Sequence, residues 1–505
     1  MPLCRSAHHA PPRQCGSAIG WIRGIQETRN DLLDLQRQLG TGRVSETYGG
    51  LGSGRVTSLD LRAKISSMEG YRQTIETVSL RISFMNQSLT RIDEVARDAR
   101  SDIRASNFDL AGATQTPQQG IAAAQFDEVI ALMNTELSGR YLFAGTETNQ
   151  PATESVTNIL NGEGGRDGVN QVIAERKAAD AGADGRGRLT IGPAAGASLT
   201  VAEDGDHPFG FKLASVTTTV DGATATETAG PPASWQLDFT TNPTPDAIVR
   251  YDLDLPDGSR ETITLSASSD GAASGSFEIG ADPAATMANL EAALAVEIEA
   301  LAASDLDAAS AVTASRSFFS TDPSNPPQRV DGAPPETATA LIDATDADTV
   351  SWYLGETGGT PRNSAIARVD DGITAGYGVR ADETAFGDIL AGLAAFATEI
   401  YTPGDEAERD RYTALTSRVA DQLTFAPGDP SIQAIQSRLV AAESTIGKAD
   451  ERHVQAIGLA TTSLEGVEAV DQNEVAVEVL MLQTRLQATY ETTAIISQLN
   501  LVNFL

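Results

Sequence analysis

The sequence has 505 residues, which is enough for two to four domains with separate hydrophobic cores. Its net charge is −33, and residues 151–375 hold most of the excess, with 12 basic and 34 acidic groups. So acidic a region excludes a binding surface for nucleic acid or for an anionic membrane.

The first residues show no sign of a packed element. Residues 1–18 contain scattered prolines and charges, and we interpret them as a disordered leader. Cys4 and Cys15 are the only cysteines, which excludes a disulfide framework, and their spacing from His8 matches no zinc site. No apolar run reaches the roughly 18 residues of a membrane span, so we expect no membrane insertion.

A first amphipathic helix is predicted between Trp21 and Leu39. Apolar residues recur there in steps of three and four, and they include Leu32 and Leu35. The glycine-rich residues 44–54 follow. They lack the spacing of a phosphate-binding loop, and we interpret them as a connector.

The longest regular pattern runs from Ile65 to Ile103. Its heptad positions include Ile75, Ile82 and Leu89, and they predict a helix of roughly 60 Å at about 1.5 Å per residue. A helix of this length needs partners of similar length. Residues 117–137 predict a further amphipathic helix.

The middle of the chain changes character. Short alternating runs separated by turn residues predict strands, and the best hairpin surrounds Pro256–Gly258. A helix is predicted over residues 283–301. Asp252 and Asp254 resemble the start of a calcium loop, but Pro256 and a missing terminal glutamate argue against one. The predicted strands lie at residues 188–192, 234–239, 248–255, 261–265 and 276–279.

The C-terminal region returns to helical periodicity. Residues 386–400, 412–423 and 432–456 predict helices, and His453 occupies a seam position alone, which favours a packed histidine. The last forty residues carry two apolar stripes on one helix, and the sequence ends on apolar residues. The first stripe contains Val475, Val479, Leu482, Leu486 and Ile496, and the second contains Met481, Ile495 and Val502, followed by Phe504 and Leu505.

These patterns predict an α+β multidomain fold. Both chain ends supply long helices that pair as an antiparallel bundle or coiled coil, and a β-containing outer domain is inserted between them. We predict a disordered leader (1–18), an N-terminal helical region (19–150), an inserted acidic α+β domain (151–375) and a C-terminal helical region (376–505).

Catalysis is not expected. Only four histidines occur, and no nucleophile, base or carboxylate pair stands at a meaningful spacing. We therefore predict no enzyme, no catalytic residue, no cofactor and no metal. Helix seams that dock on identical subunits are the predicted functional sites, because leftover apolar stripes of this kind generate rings or tubes. The residues assigned to self-assembly are Leu32, Leu35, Leu39, Ile75, Ile82, Leu89, Val475, Met481, Leu482, Leu486, Ile495, Val502, Phe504 and Leu505.

Several segments carry a family resemblance. Residues 39–44 (LGTGRV), 137–146 (LSGRYLFAGT) and the closing residues 482–505 resemble the bacterial flagellin family. Within that family, residues 139–149 are most similar to the subunits that join the flagellar hook to the filament, particularly of alphaproteobacterial type. The likeness covers roughly residues 20–150 and 380–505, and residues 327–332 and 350–353 also resemble the inserted domain of longer members.

The resemblance implies a structural role in motility. Terminal helices would form an inner tube with identical subunits, and the middle domain would face outwards. It also implies contact with another hook-associated protein and with flagellin, and export through the flagellar apparatus with a chaperone, without a cleaved signal peptide. Residues 1–17 depart from the short helix usual at the family's N-terminus, which leaves the start codon and the export signal open.

Two other functions remain open. A bulk filament flagellin has the same fold but a different place in the assembly. A secreted ligand-binding protein, with a helical stalk and a binding domain at residues 151–375, is the more distant alternative.

Overall fold

The computed structural model describes residues 15–425, 428 and 430–502. About 52% of the chain is helical, with long helices at both ends and a strand-rich middle, which confirms the predicted α+β multidomain fold. Within the described part, no helix is both long enough and apolar enough to cross a membrane.

Three helices form the N-terminal part. They are α1 (Cys15–Thr41), α2 (Gly54–Arg104) and α3 (Pro117–Met133). The predicted disordered leader overlaps α1 at residues 15–18, which are helical, and the rest of the leader lies outside the described residues. Helix α2 begins eleven residues before the predicted start, because its seam there contains the buried Ser58, which a search for apolar heptads passes over.

The ends of α3 follow local chemistry. Thr116 and Gln119 form a capping box at its start, and Pro117 occupies the first turn. The helix ends at Met133, four residues short of the prediction, because β1 (Glu136–Leu137) pairs with β2 (Arg140–Tyr141) in a tight hairpin. Ser138 and Gly139 turn this hairpin with positive φ angles of 54° and 76°.

The middle region contains two short helices and two four-stranded sheets. The helices are α4 (Val156–Asn161) and α5 (Val169–Ala181). The strands are β3 (Leu189–Ile191), β4 (Ser198–Glu203), β5 (Lys212–Thr218), β6 (Ala223–Thr228), β7 (Ser234–Phe239), β8 (Ile248–Asp254), β9 (Arg260–Ser268) and β10 (Ser276–Glu278).

The first sheet has the order β3-β4-β7-β6, and the second has the order β10-β9-β8-β5. Strands β8 and β9 pair antiparallel around Pro256–Gly258, which confirms the predicted hairpin. Strands β9 and β10 pair in parallel. Helix α6 (Pro283–Leu301) contacts both sheets, and its buried Leu290 and Leu294 join their inner faces in one hydrophobic core.

Helix α6 continues through one π-helical segment, Ala302–Leu306, into α7 (Asp307–Phe318). Helix α7 packs on α5 and on two later helices, α8 (Thr384–Thr398) and α9 (Ala407–Gln422). Buried charges reinforce this packing. Lys177 Nζ lies 2.8 Å from Glu399 Oε2 and 2.9 Å from Asp307 Oδ2.

Two small antiparallel ladders and two long helices complete the described chain. The ladders are β11 (Gln328–Val330) with β12 (Leu341–Asp343), and β13 (Ile366–Asp370) with β14 (Ile373–Gly376). The helices are α10 (Ile432–Glu468) and α11 (Gln472–Val502). The predicted weak point at Gly466 falls inside α10, and the helix breaks three residues later at Ala469.

The chain divides into two compact units. Of the described residues, those within 1–76, 368–373 and 446–505 form the first unit, and those within 77–367 and 374–445 form the second. In the second unit, α5 and α7 from the predicted insertion pack on α8 and α9 from the predicted C-terminal region. These units divide the chain differently from the predicted domain limits at residues 19, 151 and 376, which remain a prediction.

Candidate self-assembly surface

Two connections between helices organise the first unit. They are the residues that follow α1 and the turn between α10 and α11. The backbone N–H of Val44 donates to Glu468 O at 2.8 Å, and that of Val470 donates to Gly42 O at 3.1 Å. Gly42 has a φ of +67°, a conformation that disfavours other residues. These bonds place the end of α1 beside the start of α11, so the two helices run antiparallel, as they do in the predicted bundle.

Glu468 anchors the second of these connections to α2. Arg62 Nε donates to Glu468 Oε1 at 2.9 Å, Arg62 Nη2 donates to Oε2 at 2.6 Å, and Ser58 Oγ donates to Oε1 at 2.5 Å. Hydrogen bonds from Arg62 and Ser58, with the positive charge of Arg62, lower the pKa of Glu468 to about 2. The carboxylate is therefore ionised whenever this connection is intact near neutral pH.

Helices α1 and α11 pack along each other through one narrow strip. On α11 the strip contains the buried Val475, Val479 and Leu486 and the half-buried Leu482. On α1, Leu32, Leu35 and Leu39 are half-buried at steps of three and four. The spacing on both helices is that of a coiled-coil seam.

The second apolar stripe of α11 is left in solvent. Met481 is 65% exposed and Ile495 is 55% exposed. Around the helix axis, each lies within a third of a turn of another exposed apolar side chain. Monomeric proteins rarely expose a continuous apolar stripe along a helix. Among the side chains of α11 that the structure describes, the exposed large apolar ones are Val477, Leu480, Met481, Tyr490, Ile495 and Ile496.

Helix α1 adds further exposed apolar side chains. Trp21, Ile22 and Leu33 are all more than half exposed. The sequence pattern placed Trp21 in the strip that pairs with α11, and Ile496 at the far end of the partner strip, but both side chains are uncovered. A pair of helices shields only the facing strip, so it leaves these bulky residues accessible near the outer ends of α1 and α11.

Helices α2 and α10 form the other pair of the first unit. Arg72 Nε lies 2.8 Å from Asp450 Oδ1, and the ring of His453 stacks on Tyr71 with 5.5 Å between ring centroids. His453 is buried, and its Nε2 donates to Val369 O at 2.7 Å. This histidine is therefore packed, as its seam position suggested.

The predicted assembly residues fall into four groups. Ile75, Ile82 and Leu89 are buried within the chain, so they support the fold and offer no surface to a neighbour. Leu32, Leu35, Leu39, Val475, Leu482 and Leu486 lie in the strip between α1 and α11. Met481 and Ile495 are free to contact another molecule, while the side chain of Val502 and the residues Phe504 and Leu505 lie outside the described part of the chain.

Sequence reasoning missed part of the exposed surface. Ile22, Leu33 and Leu480 were not assigned to any contact, although each is more than half exposed. Ile22 and Leu33 are eleven residues apart, close to three helical turns, so they share one face of α1. That spacing was available in the sequence, but the stronger seam pattern beside it concealed it.

Asp252 and Asp254 of the middle region form hydrogen bonds and an ion pair with neighbouring side chains. Asp252 accepts hydrogen bonds from Ser215 and Thr262, and Asp254 pairs with Arg260 at 2.6 Å. The hydrogen bonds from Ser215 and Thr262 lower the pKa of Asp252. Among the described residues, no three acidic, histidine or cysteine side chains are arranged to hold a metal ion.

Comparison with known families adds one finding. Residues 16–148 match the family model described as the bacterial flagellin N-terminal helical region. No curated protein matches the chain. The match begins inside α1 and includes α2, α3 and the β1–β2 hairpin. Proteins of that family assemble into filaments of identical subunits.

Proposed function

We propose that this chain is a self-assembling structural subunit of the bacterial flagellum, located where the hook joins the filament. The observation that carries the assembly role is the exposed apolar stripe on α11, together with the exposed Trp21 and Ile22 of α1. Burying such a stripe against a second copy contributes roughly 25 cal/mol for each Å² of apolar surface removed from water. In this proposal the strip between α1 and α11 folds the subunit, and the exposed stripe joins subunits.

The proposed location of the chain between hook and filament rests on one short segment. Residues 139–149 resemble junction subunits more than they resemble bulk flagellins, and in this structure they form the end of the β1–β2 turn, strand β2 and the loop after it. The proposal also assigns residues 151–375 to the outside of the assembly. Neighbours of other kinds would be a second hook-associated protein and flagellin, and the export apparatus with a chaperone would deliver the chain outside the cell.

Counting and locating the protein in purified flagella tests the junction assignment. We expect quantitative mass spectrometry to find few copies per flagellum and immunogold labelling to mark only the end of the filament nearest the hook. Labelling along the whole filament, with a high copy number, would instead identify a bulk flagellin. A deletion strain is the genetic control, because loss of a junction subunit should leave hooks without attached filaments.

A further inference from the structure

A small hollow in the second unit brings together parts of the chain that are far apart in sequence. Its volume is about 270 Å³, and it is lined by residues of α2, by strand β2 with the loop after it, and by residues 364–366 and Tyr377. The floor contains the buried Met85 and Tyr377 together with the half-buried Tyr141. Strand β2 belongs to the segment that carries the family resemblance, but nothing in the helix pairing described above uses this hollow.

Two arginines line the hollow without a carboxylate partner. Arg81 Nη1 donates to Tyr377 Oη at 3.3 Å, and Arg140 lies on the exposed strand β2. In the described part of the chain, neither forms an ion pair, although other half-buried arginines of the second unit do. Arg329, for example, lies 2.7 Å from both Asp167 and Glu175. The hollow therefore presents two guanidinium groups whose bidentate donors are available.

One exposed apolar side chain lines the hollow, and two others are near Arg81 in the sequence of α2. Ile366 lines the hollow and is 56% exposed, and Phe84 stands one helical turn from Arg81 on α2. Leu80 is also exposed, and it lies four residues before Phe84, on the same face of the helix. Arginine with aromatic and aliphatic neighbours around a concave surface is the composition that dominates binding energy at protein interfaces.

We infer that this hollow binds an exposed carboxylate of a second copy of this chain. Charge complementarity selects that occupant. The chain holds 69 acidic and 36 basic residues, so another copy presents many carboxylates with no cation of their own. Exposed examples are Asp221 and Glu227, neither of which forms an ion pair within the described part of the chain. A free anion would satisfy the arginines but would leave Ile366 in water.

The inference rests on the proposed assembly, and its test separates the two. The full chain is concentrated, and sedimentation measures the lowest concentration at which polymer forms. We expect R81Q/R140Q to raise that concentration at least about tenfold, because each lost charge-assisted contact weakens the interface between copies. The control is R250Q, which removes an exposed arginine of β8 and should change the value less than about twofold.

A second measurement identifies the occupant. R81K keeps the charge and introduces an amine, and a carbodiimide joins that amine directly to a carboxylate in contact with it. In polymers assembled from isotopically light and heavy chains, we expect cross-links that join one light chain to one heavy chain. Cross-links confined to single chains, or none at position 81, would overturn the inference.

The outcomes are distinguishable. If the unmodified chain forms no polymer at any concentration, the proposed assembly itself fails. If it polymerises and R81Q/R140Q polymerises equally well, the assembly stands and only the role of this hollow is refuted. Binding of inorganic phosphate to the hollow without any change in polymerisation would refute it in the same way.

Discussion

At the scale of single residues, Glu468 connects more of the first unit than its neighbours do. Its side chain accepts from Arg62 and Ser58, and its backbone oxygen accepts from Val44. The carboxylate is therefore held by α2, and the carbonyl by the connector after α1. Both contacts restrain the turn between α10 and α11, which sets where the assembly surface begins.

E468Q is expected to lower the free energy of unfolding by about 1 kcal/mol near neutral pH, since it weakens a partly exposed, hydrogen-bonded ion pair. The folded state lowers the pKa of Glu468 from 4.5 to about 2. Its stabilisation is therefore complete above pH 4.5 and is lost as the pH falls towards 2. Denaturant titrations between pH 7 and pH 2 measure this dependence.

The matched control is E465Q, on the same helix, where the side chain is exposed. We expect no measurable change in stability at any pH for that variant. A constant difference between E468Q and the unmodified chain across the whole pH range would contradict the role given to the ionised carboxylate.

The two stripes of α11 predict opposite results for two similar substitutions. L486A empties a site that is 7% exposed and should cost about 2 kcal/mol of unfolding free energy. M481S changes a side chain that solvent already surrounds, so stability should remain within about 0.5 kcal/mol. Equilibrium denaturation of both variants checks the contrast, and a large loss of stability in M481S would show that the second stripe is covered within the chain.

Residue patterns predicted these two stripes because helical spacing fixes which side chains share a face. Spacing alone does not show how much of the helix surface the neighbouring helix covers. Trp21 and Ile496 follow the seam pattern, yet the narrow contact of two helices leaves both exposed. The arginine hollow was beyond prediction, because Arg81 and Arg140 meet only after the chain folds.

At the scale of elements, Arg418 holds the strand-rich region on α9. Its guanidinium lies 3.0 Å from Asp257 in the β8–β9 turn, 3.2 Å from Glu261 in β9 and 2.9 Å from Asp305 in the π-helical segment. The arginine and Asp257 are about nine-tenths buried. One cation therefore balances three carboxylates from neighbouring segments, and its loss would leave their charges facing each other.

R418M is expected to destabilise the second unit by roughly 3 kcal/mol, because it leaves buried carboxylates without a partner. The control R260M removes an arginine of the same hairpin whose ion pair with Asp254 lies on the surface, and no measurable change is expected. Differential scanning calorimetry compares the two. Equal stabilities of R418M and the unmodified chain would show that the hairpin is held by its apolar packing alone.

The long helices were predictable from the sequence, and several strands were not. Heptads over many turns identify α2 and α10, because a long periodic pattern has few alternatives. The sequence patterns did not predict strands β4, β5 and β6. Strand β6 (Ala223–Thr228), for example, is mostly alanine and threonine and lacks the alternating bulky residues of a buried strand. Helix α7 was not predicted either. Its buried face consists largely of alanine and serine, which a hydrophobic pattern does not register.

At the scale of the whole molecule, the buried apolar side chains stabilise the fold, and the exposed apolar side chains are the candidates for assembly. The second unit closes its own hydrophobic core around two sheets and α6. The first unit is built from paired helices and leaves a row of large apolar side chains uncovered on α11. In the proposed function, a chain with this division satisfies its own fold and gains further stability when its helices meet another copy.

The measurement that tests this most directly is polymerisation of the purified full chain, followed by sedimentation and electron microscopy. We predict ordered polymers from the unmodified chain and none, at the same concentrations, from M481E/I495E, whose circular dichroism spectrum should be unchanged. Q483E/Q487E adds the same charge to exposed polar positions of α11 and should still polymerise. Polymerisation of M481E/I495E at the unmodified concentration would contradict the central claim that this stripe joins the subunits.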